Sequence, residues 1–251
     1  MNTFKPICAM SGAALALWFL FAPWSVLAEP AKPGPQPDPK DGKAKPIESA
    51  LVYKPPVRGT PGGRVGGGTR GTSQTFVLSV LAPNHTGLTS RDQPILYWYV
   101  TKPISSPMEF SLSDDGVKPL VETVLKPPFE AGIQRIRLAD FGVRLVAGRQ
   151  YRWFVSLVVD PERRSKNILA GGTIELAEVP EATATLISRA DKQDMPRAYA
   201  EAGLWYDAVA AINELIGAAP KDNALRAQRA ALLQQVGLAE IAEFDLTGRN
   251  N

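Results

Sequence analysis

Between about residues 75 and 180 the apolar residues of this chain follow the two-residue period of β-strands, and beyond residue 180 they follow the period of helices. From Thr75 onward, short β-branched and aromatic runs are separated by Pro, Gly, Asn and Asp, a pattern typical of β-strands. The pattern predicts seven strands, at 75–81, 95–100, 108–113, 120–125, 133–138, 151–159 and 172–179. Because no helix-length pattern lies between these runs, we expect an antiparallel, immunoglobulin-like β-sandwich over residues 72–180.

The sixth run indicates which face of a strand enters the core. The two-residue period places five side chains on one face, namely Tyr151, Trp153, Val155, Leu157 and Val159. The segment before it, Leu145-Val-Ala-Gly-Arg-Gln-Tyr151, resembles the tyrosine corner of such sandwiches, in which the hydroxyl bonds to backbone a few residues upstream. The alternative is an ordinary turn glycine before an aromatic-rich strand.

After the last strand, apolar residues recur at spacings of three and four, which predicts helices in residues 181–251. One helix ends at Pro220 and a second ends at Gly237. Residues 198–208, followed by that proline, look like a tetratricopeptide unit. Since one unit cannot bury a stack of repeats, we expect a helical hairpin whose Trp205 packs on the sandwich or on a second copy. The predicted class is α+β.

Residues 1–28 carry the pattern of a secretory signal peptide: one lysine, an uncharged run, and the small residues Val26 and Ala28 before the cleavage point. Pro23 limits the continuous apolar run to 16 residues, whereas a bilayer span needs about 20. An uncleaved anchor is the alternative. We expect export to the periplasm or the extracellular space, and a mature chain without cysteine, since Cys8 lies in the peptide.

Two segments precede the predicted sandwich. Residues 29–57 are rich in Pro and Lys and predict a disordered linker. Residues 58–71 form an arm with seven glycines in fourteen residues and with Arg58, Arg64 and Arg70 at every sixth position. Residues 29–71 have a net charge of +4 and residues 72–251 a net charge of −2, so the positive charge of the mature chain is concentrated before the sandwich.

The chain has one cysteine and one histidine, and this composition excludes most nucleophilic and metal-dependent active sites. Gly66–Gly71 matches G-x-G-x-x-G, but it follows the arm rather than a strand, which argues against nucleotide binding. We interpret His85 as a turn residue, and Asp114-Asp115-Gly116 as a turn rather than paired carboxylates. We predict no enzyme, no catalytic residue, no metal, no cofactor and no nucleic-acid partner.

Two features are candidate binding sites. The three arginines of the arm, on a glycine-rich backbone, suit phosphate or carboxylate groups. The alternative is that the arm lies flat on a sheet edge. The second candidate is the loop between the last two strands, with Asp160, Arg163, Arg164 and Asn167, at a position that immunoglobulin-like domains use for binding. Plain turn chemistry is the alternative there.

Five segments together resemble one protein family. They are P-P-x-R-G-x-P-G-x-R-x-G-G-G-T-R-G in the arm, E-F-S-L-S-D at 109–114, the Y-x-W-F-x-S-L run leading to Asp160-Pro161, R-S-x-N at 164–167, and W-Y-D-A at 205–208. The chain resembles a family of secreted, mainly cyanobacterial proteins classed as domain of unknown function number 928. The resemblance covers about residues 55–245 and implies no activity and no catalytic residue.

These observations favour an exported binding or scaffolding module of the cell envelope. We expect an envelope protein or an anionic envelope polymer as its partner, and self-association through the C-terminal helices. The alternative from a different class is an envelope hydrolase that acts through carboxylates only.

Overall fold

Runs of β-branched and aromatic residues form most of the strands. The computed structural model describes residues 51–56, 63–68, 76–114 and 118–247, all within one compact unit, Pro46–Asn251. The strands in the described residues are β1 Gly67–Gly68, β2 Val77–Val80, β3 Gly87–Thr89, β4 Ile95–Val100, β5 Met108–Ser113, β6 Val121–Leu125, β7 Gly132–Arg137, β8 Gln150–Leu157 and β9 Ile168–Leu176.

The strands form two sheets in the order of an immunoglobulin-like sandwich. One sheet has the order β1-β2-β4-β7 and the other β3-β9-β8-β5-β6. β2, β4 and β7 correspond to immunoglobulin strands A, B and E, and β9, β8 and β5 to G, F and C. The pairs are antiparallel except β3 with β9, which is parallel, so the purely antiparallel sandwich predicted from the sequence is wrong at this pair. The short strand β3, which follows the first long strand β2, pairs there with the last strand β9.

The tyrosine corner predicted at Tyr151 is confirmed. The backbone N–H of Val146 donates a hydrogen bond to the Tyr151 hydroxyl at 3.0 Å. Along β8, Tyr151, Trp153, Val155 and Leu157 are buried as predicted. Val159 is 50% exposed because the strand ends at Leu157, so the prediction for this residue is wrong.

The described part of the C-terminal region contains five α-helices where the sequence predicted a hairpin of two. They are α1 Glu181–Arg189, α2 Met195–Glu201, α3 Trp205–Ala218, α4 Asn223–Gln235 and α5 Ala239–Leu246. Gly203 and Gly237 both have positive φ, +77° and +74°, and they separate α2 from α3 and α4 from α5. The long apolar stripe of the sequence therefore spans two helices, because periodicity continues across a tight glycine turn.

The helices pack on the sandwich, as predicted for Trp205. This side chain is fully buried, and its Nε1 donates to the carbonyl of Leu81 at 2.8 Å. The adjacent Tyr206 accepts from Nε1 of Trp153 at 3.0 Å and donates to the carbonyl of Thr173 at 2.9 Å. The start of α3 is thereby fixed to both sheets.

β4 is buried on both faces. Its period of two places Leu96, Trp98 and Val100 on one face, all almost fully buried. On the other face, the ring of Tyr99 lies 5.0 Å from that of Phe244 in α5. Helix α5 therefore packs on the outer face of the four-stranded sheet at β4, while the start of α3 also reaches the five-stranded sheet.

Several sequence predictions fall outside the described residues. These are the signal peptide at 1–28, residues 29–50 and 57 of the linker, Arg58 and Arg70 of the arm, and Asp115 and Gly116 of the predicted turn. Among the helices of the described residues, none combines the length and the apolar character that crossing a bilayer requires.

Candidate functional site

The predicted binding loop between β8 and β9 brings three of its four candidate residues into ion pairs. Nε of Arg163 donates to Asp160 at 2.7 Å. Arg164 pairs instead with Glu109 on β5, at 2.5 Å and 2.6 Å from the two carboxylate oxygens. Both arginine side chains are about two-thirds exposed, so solvent screens these pairs.

Asn167 occupies a different position in this loop. Its backbone N–H donates to the carbonyl of Arg164 at 3.1 Å. Its side-chain Oδ1 is buried and has no hydrogen-bond partner among the described residues. Asp160 also accepts a hydrogen bond from the backbone N–H of Glu162 at 3.1 Å. This bond is typical of a turn, the alternative to ligand binding given for this loop in the sequence analysis. Ligand binding by this loop stays a prediction.

Arg64 is the arm arginine that the structure describes, and it bonds to the protein itself. Its guanidinium donates to the carbonyls of Ala82 and Val236 at 3.0 Å and of Gly237 at 3.1 Å. Burial lowers the pKa of Arg64. The guanidinium therefore joins the end of α4 to the loop between β2 and β3.

The described part of the arm lies along the open side of the sandwich. Val65 exchanges two backbone hydrogen bonds with Gly171 of β9, at 2.9 Å and 2.8 Å. Two residues later, Gly67 and Gly68 pair with β2 in the other sheet. This placement matches the alternative in which the arm lies flat on a sheet edge. The strand pairs join β9 to β2 through one short segment.

The residues Leu51–Pro56, here called the strap, lie extended against the helices. The strap belongs to the predicted linker, so the prediction of disorder is wrong for these residues. Leu51 and Tyr53 are buried while Val52 and Lys54 are exposed. Two apolar side chains at alternate positions supply the burial that the rest of the proline-rich linker lacks.

The strap is held mainly through its backbone. The side-chain amide of Gln235 donates to the carbonyl of Leu51 at 2.7 Å and accepts from the N–H of Tyr53 at 2.9 Å. Lys54 N–H donates to the carbonyl of Ala200 at 3.1 Å. A Cβ added at Gly203 would lie 2.8 Å from the Lys54 carbonyl oxygen, so glycine permits this close approach as well as the turn.

Tyr53 anchors the strap between two elements. Its ring packs edge-on against Trp205, with centroids 5.0 Å apart, and lies parallel to the ring of His85. Its hydroxyl is 2.9 Å from Nε2 of His85. Burial raises the pKa of Tyr53 and lowers that of His85. Both groups are therefore neutral at pH 7. The single histidine of the chain thus contacts the strap through Tyr53.

We define the strap groove as the surface formed by Ala200, Gly203, Trp205, Gln235 and His85. Sequence reasoning missed it, because its residues come from three separate segments. The signal present in the sequence is a short apolar run, Leu51-Val52-Tyr53, inside a proline-rich stretch. The run indicates that this part of the linker can bury apolar surface, but it does not show which of its side chains are buried or what they contact.

The W-Y-D-A segment contains a buried carboxylate. Asp207 is 1% exposed and accepts from the N–H of Ser90 at 2.7 Å, while Nε of Arg91 lies 3.3 Å away. Burial raises the pKa of Asp207 to about 6, although the bonds to Ser90 and Arg91 oppose that rise. Asp207 fixes the first turn of α3 to the segment that follows β3.

The comparisons with known proteins identify the family. The profile of the Domain of Unknown Function (DUF928) matches residues 65–246. The chain belongs to this family. The match begins at Val65, so the strap precedes the part of the chain that the DUF928 profile covers, whereas the arm from Val65 onward, the sandwich and the helices lie within it.

Other comparisons add little. No curated protein matches this DUF928 chain. A multi-domain immunophilin from Arabidopsis thaliana aligns with 73% of this chain and 96% of its own, at 8% identity and a TM-score of 0.17. A TM-score this low carries no argument about fold or function. Among the described residues, no group of three or more His, Cys, Asp or Glu side chains is arranged to hold a metal ion.

Proposed function

We propose that this DUF928 protein is an exported binding or scaffolding module of the cell envelope, and that it binds extended protein segments in the strap groove. The proposal includes cleavage of residues 1–28 and a periplasmic or extracellular location. The binding role rests on the two hydrogen bonds between the side-chain amide of Gln235 and the backbone of the strap. In the isolated chain the groove holds the strap itself.

The contacts of the strap groove suit other segments of similar pattern. Gln235 bonds to a carbonyl, which every residue possesses, and to an N–H, which every residue except proline possesses, and only Leu51 and Tyr53 insert side chains. Recognition of this kind takes affinity from main-chain hydrogen bonds and specificity from pockets for alternate side chains. An envelope protein or a second copy with the pattern apolar–x–aromatic would fit.

As part of this proposal, the helices that form the groove are two tetratricopeptide-like helix pairs. α2–α3 and α4–α5 are two consecutive helix pairs, and in each a positive-φ glycine is followed by a buried leucine, Leu204 or Leu238. Repeated helix pairs form extended surfaces on which other chains bind. Self-association through these helices would then occur by exchange of straps between copies.

The other sequence candidates keep narrower roles in the proposal. Arg58 and Arg70 stay candidates for an anionic envelope polymer, whereas Arg64 is engaged with backbone carbonyls. The carboxylate-only hydrolase gains no support from the two buried carboxylates of the described residues. Asp207 and Asp245 each bond to an arginine of the protein itself.

A labelled peptide tests the groove. In the mature chain from residue 29, the double variant Leu51→Ser, Tyr53→Ala should release the strap, because both inserted side chains are lost. A fluorescent peptide of residues 47–56 should then bind saturably, as measured by anisotropy. The unaltered chain should bind it at least tenfold more weakly, since a tethered strap competes at an effective concentration near millimolar.

Gln235→Ala in the double variant should weaken peptide binding about tenfold, the cost of two backbone hydrogen bonds. Gln234→Ala is the matched control, because it removes the same side chain from the neighbouring position, which is likewise exposed and makes no bond to the strap. Absence of saturable binding to the double variant, or equal losses for the two glutamine variants, would contradict the proposal.

A further inference from the structure

The part of the strap groove that receives Tyr53 is a pocket between two aromatic rings. The indole of Trp205 packs edge-on against the Tyr53 ring, with centroids 5.0 Å apart. The imidazole of His85 lies nearly parallel to the same ring, at an interplanar angle of 7°. Tyr53 is 6% exposed, so its ring is enclosed by this pocket. An aromatic ring at this position of a bound segment therefore meets two ring surfaces.

Backbone hydrogen bonds fix which residue of a segment enters the pocket. The side-chain amide of Gln235 accepts from the N–H of Tyr53 at 2.9 Å, and the carbonyl of Ala200 accepts from the N–H of Lys54 at 3.1 Å. Successive side chains of an extended segment point to opposite sides, so a slip of one residue would move the ring out of the pocket. The pocket therefore contacts the residue at position 53 of the segment.

His85 supplies the polar contact of the pocket. Its Nε2 lies 2.9 Å from the Tyr53 hydroxyl. Because a tyrosine hydroxyl both donates and accepts, this bond forms with either tautomer of a neutral imidazole. The indole N–H of Trp205 already donates to the carbonyl of Leu81 at 2.8 Å. A phenylalanine at position 53 would fill the same space and would leave Nε2 of His85 without this partner.

Both rings are also held by contacts outside the strap. Trp205 is fully buried and is bonded to the backbone of Leu81. Three residues before His85, the carbonyl of Ala82 accepts from Arg64 at 3.0 Å, and Thr86, directly after His85, is 6% exposed. We therefore expect the pocket to keep its shape when the strap leaves, so that little of the binding free energy is spent on ordering it.

From this geometry we propose that His85 makes the strap groove selective for tyrosine, so that its ligands are extended protein segments with an aliphatic residue and, two residues later, a tyrosine. This inference rests on the proposed function. A site that bonds to a hydroxyl discriminates against the analogue without it, because a polar atom of the site then loses its partner. His85 is only partly buried, so water replaces the hydroxyl in part and the selectivity over phenylalanine is about fivefold.

A double-mutant cycle between peptide and protein tests the role of His85. In the mature chain with Leu51→Ser and Tyr53→Ala, the fluorescent peptide of residues 47–56 should bind about fivefold more tightly than the same peptide with Tyr53→Phe. Adding His85→Phe to the protein keeps a ring in the pocket wall and removes both nitrogens, so the preference for the tyrosine peptide should vanish.

Two controls separate this contact from general effects. Asn84→Ala in the protein changes the exposed neighbour of His85 and should keep the fivefold preference. Val52→Ala in the peptide changes a side chain that is 50% exposed and should leave the affinity nearly unchanged. Equal affinities for the tyrosine and phenylalanine peptides, or a preference that survives His85→Phe, would overturn the proposal.

The strap of the otherwise unaltered chain provides a second measurement. Tyr53→Phe should speed hydrogen exchange at the amide of Lys54 about fivefold, because the strap then opens more often, and should have no such effect when His85→Phe is present. Exchange that Tyr53→Phe does not change would overturn the role of His85, whatever the peptides do. Coupled exchange without any peptide binding would instead overturn the proposed function and limit the role of His85 to the chain's own tyrosine.

Discussion

At the residue scale, Tyr151 fixes the start of β8 with one hydroxyl group. The ring is buried, and the hydroxyl accepts the N–H of Val146, five residues upstream. The same turn contains Gly148 with φ +72°, and the N–H of Gly148 reaches the end of β9 at Leu176. The corner therefore connects the loop after β7 to the last strand.

Tyr151→Phe should lower the free energy of unfolding by about 1 kcal/mol, because a backbone N–H loses its partner while the ring is kept. Chemical denaturation measures the difference, and hydrogen exchange should show faster exchange at the amide of Val146. Tyr99→Phe is the control, as its hydroxyl has no backbone partner among the described residues. Unchanged stability and unchanged exchange at Val146 would show that the bond contributes nothing.

Asp207 makes stability depend on pH. Its pKa is about 6 in the folded chain, against about 3.9 for an unfolded aspartate. Well below pH 4 the carboxyl is protonated in both states. Between pH 4 and pH 6 the folded state binds more protons than the unfolded state, so the free energy of unfolding falls as pH rises. Well above pH 6 the carboxylate is ionised in both states and this contribution is constant.

Asp207→Asn should remove this contribution, because the amide does not titrate. The free energy of unfolding of the unaltered chain minus that of the variant should fall between pH 4 and pH 6.5, by on the order of 3 kcal/mol. Urea denaturation at several pH values measures this difference. If the difference in the free energy of unfolding stays constant across this pH range, the bonds from Ser90 and Arg91 cancel the effect of burial on the pKa of Asp207.

At the element scale, the two glycine turns of the helices are the places where the N-terminal segments attach. The strap passes Gly203, between α2 and α3, and Arg64 reaches the carbonyl of Gly237, between α4 and α5. Carbonyls at the end of a helix lack intrahelical partners, and a guanidinium satisfies them while adding a favourable positive charge. Arg64 thus caps α4 from outside the helix.

Arg64→Ala should lower the free energy of unfolding by about 2 kcal/mol, because three carbonyls lose a charged donor and solvent replaces it only in part. Arg144→Ala is the control. Arg144 pairs with Asp92, but its side chain is 66% exposed and should contribute less than about 0.5 kcal/mol. Equal thermal stability of the two variants would show that the arm is not part of the folded core.

At the scale of the whole molecule, the two sheets and the helices are joined by segments that precede the sandwich. The arm pairs with both sheets, while Arg64 and the strap join the chain before the sandwich to the helices. The helices are therefore an integral part of the fold. The strap groove exists only because they are present.

The sequence by itself determined the elements whose own residues carry the signal. The seven predicted strands, the tyrosine corner at Tyr151 and the burial of Trp205 follow from alternation, helical spacing and turn glycines, which are properties of neighbouring residues. Periodicity within a segment reports how many of its faces are buried, and so it predicted the α+β class and most strand positions.

Only the tertiary structure decided what lies against those faces. β1 and β3 have two and three residues and no readable period, and they are strands because β2 and β9 supply hydrogen-bond partners. The strap needs Gln235 of α4 and Ala200 of α2. These contacts join residues distant in the chain, and each depends on the relative placement of whole elements, which no local pattern of side chains specifies.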